Sequence, residues 1–146
     1  MRKTLIAASA AVLLLAAVIL TAGCVASSDP LEGVWYQQEG NAYNCLVFEG
    51  DGAGYFAYLA DESNPSDTSY AIPVVRKMER DNVYSLQFPD GGEPVLITVN
   101  QVEGIITTGD GDVYTKVPSA ASGAADAGQL AVEKHILDQL GELNII

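Results

Sequence analysis

The chain has 146 residues, with 19 Asp and Glu against 7 Lys and Arg, a formal net charge of −12 at pH 7. A surface of that sign repels phosphate backbones, so no nucleic-acid partner is expected. One histidine and two cysteines do not build a histidine- or thiolate-based transition-metal centre, no glycine-rich loop has a phosphate-cradling signature, and no cofactor is expected.

Met1-Arg2-Lys3-Thr4 is a short basic stretch and residues 5–20 are almost wholly apolar, the layout of an export signal. Thr21-Ala22-Gly23-Cys24 closes it and resembles a lipobox, in which small residues precede a cysteine that is diacylated and becomes the mature N-terminus. Ala22, Gly23 and Cys24 match that pattern, whereas Thr21 stands where an aliphatic residue is usual. The resemblance implies a signal peptide over 1–23, lipidation at Cys24, a tether over 24–30, and a domain exported and lipid-anchored to the membrane on its outer side. Two other readings stay open: an uncleaved helical anchor, because the eighteen residues 5–22 just suffice to span a bilayer, and simple cleavage and release. Without Arg2 and Lys3 the exported part keeps five basic residues against nineteen acidic ones, a charge of −14. Such a field repels anionic lipid head groups, so the tether and not the surface would hold the protein to the membrane. With Cys24 lipidated, Cys45 is the remaining thiol, read as a small packed strand residue, with an intermolecular disulfide as the alternative.

After the tether, short apolar runs alternate with turn signals, the pattern of an all-β domain. A first strand is expected over 31–38, with Gly33, Trp35 and Gln37 on one face and Val34 and Tyr36 on the other. A second over 43–49 and a third over 55–60 flank Gly50-Asp51-Gly52-Ala53-Gly54, a hairpin signal. Residues 61–68 are polar, contain Pro65 and have no period, so they form the longest loop. A strand over 69–80 follows, in which Pro73 cannot donate to a ladder and predicts an edge or a bulge. Asp81-Asn82 turns the chain into 83–88, Pro89-Asp90-Gly91-Gly92 turns it into 94–99, and a last hairpin joins 105–108 to 112–117 across Gly109-Asp110-Gly111. About eight strands of this length must curl to cover their apolar face and remove their edges, which predicts a small antiparallel up-and-down barrel over 31–117.

Small residues make 118–128 a linker, and the C-terminal segment 129–146 is assigned to an amphipathic α-helix. Asp126 and Gln129 have capping-box spacing, so the helix should start near them and run to about Leu143. Ile136, Leu137, Leu140 and Leu143 form its apolar face, with Lys134, His135, Asp138 and Glu142 opposite. Such a helix packs on the barrel or across one mouth, serves a partner or a dimer, or lies on a membrane surface, against which its acidic polar face argues.

Gly33-Val34-Trp35 at the head of an eight-stranded pattern resembles the Gly-x-Trp strand of lipocalins, and more closely the compact lipocalin-like domains of bacterial and archaeal lipoproteins. There a hydrophobic strand ending in phenylalanine, an Asp-Gly-x-Gly hairpin, and a final strand with tyrosine and a basic residue follow in order. Here these are Leu46 and Phe48, then Asp51-Gly52-Ala53-Gly54, then Tyr114-Thr115-Lys116-Val117. The resemblance implies a lipocalin-like barrel in which Lys116 lies on the face of Trp35; the alternative leaves Lys116 in solvent.

A barrel of eight short strands has an interior that side chains nearly fill. Tyr84, Leu86, Phe88, Ile97, Ile106 and Tyr114 are bulky enough to do so, which leaves room at most for a shallow site at an open end. Trp35, Phe48, Tyr84, Phe88 and Tyr114 are the candidate ligand-binding residues. His135, alone on a helix, is read as a surface residue and not a catalytic one. Asp51, Asp110 and Asp112 are turn aspartates without EF-hand spacing, and alternation splits the basic cluster Arg76, Lys77 and Arg80 across two faces. The expected function is a non-enzymatic, membrane-tethered lipocalin-like domain binding a small apolar ligand or a protein partner outside the cytoplasmic membrane. The alternative is a structural or envelope-interaction lipoprotein with a filled barrel, acting through loop 61–68 and the C-terminal helix. Metabolic labelling with a fatty-acid analogue tests the anchor: label should enter the native protein and be lost in Cys24→Ser, and equal labelling of both would end the lipoprotein reading.

Overall fold

Alternating apolar residues along eight strands give a sheet with one inward face, and the sheet closes on itself. The computed structural model describes residues 29–50, 52–117 and 126–146; residues 1–28 with Cys24, Asp51, and residues 118–125, on which the expectations of a signal peptide, a lipidated cysteine and a linker fall, lie outside them. The strands are β1 (Gly33–Glu39), β2 (Ala42–Phe48), β3 (Ala53–Leu59), β4 (Tyr70–Arg80), β5 (Val83–Gln87), β6 (Val95–Asn100), β7 (Ile105–Thr108) and β8 (Val113–Val117). Each pairs antiparallel with the next and β1 pairs with β8, so the sheet is a closed eight-stranded up-and-down barrel, as the strand pattern predicted. Its inside is packed by Trp35, Leu46, Phe48, Val74, Tyr84, Leu86, Ile97, Ile106 and Tyr114.

The first strand begins two residues later than expected, and Gly33 explains the shift. Its φ of +127° is one that side chains rarely adopt, and a Cβ there would stand 3.4 Å from the Lys116 Cε. The chain therefore breaks from the strand direction before β1. Leu31 is completely buried, and its carbonyl accepts the Trp35 indole N–H at 2.9 Å. Gly54 has a different reason: a Cβ there would lie 2.8 Å from the Phe48 ring, its register partner on β2. The Asp-Gly-x-Gly hairpin thus makes room for the phenylalanine that precedes it.

Pro73 sits opposite Tyr55 inside the β3–β4 ladder, while β4 meets β5 only from Val75 onward. Residues 70–74 therefore form a local edge within the closed barrel, where a missing N–H is tolerated. The irregularity in β4 lies elsewhere, between Met78 and Arg80.

The helix α1 (Ala127–Glu142) starts two residues before the assigned segment, because Asp126 caps it: the Asp126 carboxylate accepts the Gln129 N–H at 2.8 Å. At its other end Asn144 adopts φ 58°, and the Ile145 and Asn144 N–H groups donate to the Leu140 and Gly141 carbonyls. That is a Schellman stop, which turns Ile145 back toward Leu140. The helix packs on the outer wall and not across a mouth: Ile136 and Leu140 join Val34, Tyr43, Cys45, Val47, Ala57, Leu59 and Val117 in a second core.

The buried stripe is rotated from the expected one. Glu133 is only 3% exposed while Leu137 is 37% exposed, and the His135 ring lies 6.0 Å from that of Tyr43 instead of facing away from the barrel. Hydrophobicity alone misplaces the stripe, because Tyr36 and Tyr43 on the outer wall accept polar neighbours from the helix: Gln129 hydrogen-bonds the Tyr36 hydroxyl and Glu133 lies near it. Among the described residues no helix is long and apolar enough to cross a membrane.

Trp35 is 1% exposed at the heart of the inner core. Trp35→Ala should destabilise the domain by about 3–5 kcal/mol through lost burial and a residual cavity. A denaturant midpoint unchanged from the native protein would remove Trp35 from that role.

Candidate functional site

Strand direction gives the barrel two unlike ends. The floor holds the start of β1, the end of β8 and the turns after β2, β4 and β6; the mouth holds the turns after β1, β3, β5 and β7. At the floor, Lys116 and Trp35 are register partners across the β1–β8 seam, and the ammonium lies 5.2 Å from the ring centroid. The cation–π contact expected from the Gly-x-Trp resemblance is thus present. Beside it Arg76 stands 5.6 Å from the Phe48 ring centroid and donates to the Glu49 carbonyl at 3.0 Å.

The mouth is open. A cavity of about 490 Å³ enters it, walled by Gln37 and Glu39 of β1, Asn44 of β2, Phe56 of β3, Tyr114 of β8 and Asp112 just before β8. Strand alternation explains the set: Gln37 and Glu39 continue the inward face that Trp35 begins, and Asn44 continues that of Leu46. The Gln37 amide donates to Asp112 Oδ1 at 3.2 Å, and the Asn44 amide to Glu39 Oε2 at 3.0 Å. Each carboxylate is so held in place by one amide while keeping further acceptor sites. Phe56 extends the wall into an aromatic row, with Phe88 at 6.1 Å and Tyr70 at 6.5 Å between centroids; Tyr58 stacks on Tyr70 at 5.5 Å.

Of the five residues expected to meet a ligand, Tyr114 alone lines this cavity. Trp35, Phe48 and Tyr84 are packed in the interior, and Phe88 rests against that core beside Phe56. The polar wall is not legible as a site in the sequence, where Gln37 reads only as a strand residue on the Trp35 face and Asp112 only as a turn aspartate. The signal that would have found them is the continuation of the Trp35 face: Gln37 and Glu39 follow at period two, and inward polar residues near a strand end mark an opening.

Loop 61–68 is tightly built. Asp61 accepts the Ser63 N–H at 2.8 Å and its hydroxyl at 2.6 Å, Asn64 repeats the motif with Ser66, and Asp67 accepts the Asp61 N–H at 3.0 Å and the Tyr58 hydroxyl at 2.8 Å. The Ser63 hydroxyl and N–H hold the Asp61 carboxyl below its ordinary range, and the Asp61 N–H and Tyr58 hydroxyl do the same for Asp67.

Carboxylates lie at both ends, with Glu32, Glu49, Glu79, Asp81 and Glu103 on the floor side, but the cations of the barrel lie at one end only. Glu39, Asp61, Glu62, Asp67, Asp90, Glu93, Asp110 and Asp112 lie in or beside the mouth turns, which contain no Lys or Arg. The four cations of the barrel, Arg76, Lys77, Arg80 and Lys116, lie on the floor-side halves of β4 and β8. Among the described residues no group of three or more His, Cys, Asp or Glu is placed to hold a metal ion. His135 is on the outer wall, apart from the cavity.

Burial pushes the Tyr114 phenol up to about 12, with the Asp112 carboxylate, Cys45 and the Glu39 carboxylate adding to the effect. Cys45, sealed between β2 and α1, is also pushed up to about 12 by burial. No family model, no curated protein and no solved structure matches this chain.

Both raised values bear on alkaline stability. Each group stays neutral in the fold at a pH where it ionises in the unfolded chain, near 9.0 for the thiol and 10.0 for the phenol. Their contribution is therefore complete below pH 9 and is lost as pH rises toward 12. The urea midpoint should fall across that window, and Tyr114→Phe should flatten the part above pH 10; identical pH profiles for native and variant would contradict the burial of the phenol.

Proposed function

We propose that this protein is a non-enzymatic, lipid-tethered, lipocalin-like barrel outside the cytoplasmic membrane, which binds a small molecule at its open mouth. The observation that carries this is the cavity of about 490 Å³ between Glu39, Asn44, Phe56, Asp112 and Tyr114, within the range of about 300–1,000 Å³ usual for small-molecule sites. Its walls are held in advance by the Gln37–Asp112 and Asn44–Glu39 hydrogen bonds, so binding would order few side chains. The interior below is occupied by the protein's own aromatics. A wholly apolar ligand has no room there, and the reading narrows to a ligand with a polar end seated among the amides and carboxylates. The lipobox resemblance at Cys24 and the export layout before it support the location.

The filled interior also favours a second reading, in which the barrel is a rigid spacer and the ordered loop 61–68 meets an envelope partner. Native mass spectrometry of the full-length protein extracted in mild detergent separates the two. A small-molecule adduct that disappears in Asn44→Trp, which fills the mouth, supports mouth binding. An adduct-free native protein, or an adduct unchanged by the substitution, favours the spacer.

A further inference from the structure

The two ends of the barrel treat their aromatic rings differently. At the floor the chain covers its own rings with its own cations, Trp35 with Lys116 and Phe48 with Arg76. At the mouth, Phe56 and Tyr114 line a cavity together with the carboxylates of Glu39 and Asp112, and among the described residues no Lys or Arg lines it. We infer that the mouth takes a small organic cation, an amine or a quaternary ammonium, which supplies there the charge that Lys116 and Arg76 supply at the floor. This rests on the mouth-binding reading and adds to it the chemical class of the ligand.

Three features make the class specific. Carboxylates carried by the two strands that meet at the seam, Glu39 at the end of β1 and Asp112 just before β8, line one cavity together with Tyr114. Each is aimed by a single amide and can accept further N–H donors or face a fixed positive charge. Aromatic faces attract a cation by their quadrupole, and the attraction grows as the cation is desolvated in a cleft. The Tyr114 phenol stays protonated throughout the neutral range, so it presents a ring and a hydroxyl and no charge of its own.

The alternatives fit less well. Calcium takes 6–8 oxygen ligands and magnesium near-ideal octahedral geometry, and among the described residues no group of three or more metal-ligating side chains is assembled. An anion would enter a mouth whose turns hold Asp61, Glu62, Asp67, Asp90, Glu93 and Asp110 without a base. That same field attracts a cation from a distance and concentrates it at the opening, an effect that weakens with salt.

Three soluble probes on one skeleton test the inference: 2-phenylethylammonium, 2-phenylethanol and phenylacetate, titrated into the full-length protein in an uncharged detergent. Affinity is read by calorimetry, and the site by shifts of the Gln37 and Asn44 side-chain amide resonances. The expected result is that the ammonium binds at least about tenfold tighter than the alcohol, the carboxylate does not bind, and both amides shift. In Glu39→Gln/Asp112→Asn the ammonium should lose at least about tenfold in affinity while the melting temperature holds and the alcohol is unaffected. Equal binding of alcohol and ammonium at the mouth would overturn the cationic class and leave the mouth-binding reading standing. No probe shifting either amide would overturn both. An ammonium preference that survives in the double variant would assign it to the general acidic surface and overturn the site.

Discussion

Everything in the barrel depends on the seam where β1 meets β8. β1 pairs with β2 over its whole length and with β8 over Val34–Tyr36, so a single strand carries the closure of the sheet. Trp35 stands at the middle of that seam, with its indole N–H on the Leu31 carbonyl and the Lys116 ammonium over its face. A large ring buried there satisfies its one polar atom, fills the floor and leaves the opposite end as the only place where inward residues become polar along β1. Gly33, at φ +127°, turns the chain just before β1, and Leu31 on the far side of that turn is buried in the same core with its carbonyl on the indole N–H.

The helix completes the domain from outside. Closure removes strand edges but leaves an apolar outer wall on β1, β2 and β3, and α1 covers it with Ile136 and Leu140. Cys45 is buried in this layer, so its thiol is a packing group here, and burial keeps it protonated. The polar side of the same interface, where Gln129 and Glu133 approach Tyr36, turns the helix away from the orientation that hydrophobicity alone would choose. A Schellman stop at Asn144 then returns Ile145 to the wall, so the helix is held at its end as well as along its face.

The one-sided placement of the cations connects this architecture to binding. With the barrel's cations on the floor-side halves of β4 and β8, beside carboxylates they offset, and the mouth turns holding carboxylates alone, the barrel has an electrical direction that the net charge of −12 does not reveal. Two of those cations are spent on aromatic rings of the protein itself. The rings at the other end remain against carboxylates, in a cavity already shaped by hydrogen bonds, and that contrast carries the functional proposal.

The sequence by itself determined the strand count, the turn positions, the up-and-down order and the helix cap, because these depend on local periodicity and on glycine, asparagine and aspartate chemistry at known spacings. The resemblance of Gly33-Val34-Trp35 to a known strand motif offered Lys116 over Trp35 as one of two readings, and the structure has that contact. What the tertiary structure decided was which inward residues are sealed and which are reached from outside. Trp35, Gln37 and Glu39 share one face of one strand, yet the first lies at the packed floor and the others line a cavity. Depth along a closed barrel, set by the stagger of neighbouring strands, is a non-local quantity that period-two alternation cannot encode. The side of the helix that faces the wall is non-local for the same reason, since it depends on Tyr36 and Tyr43, more than eighty residues earlier in the chain.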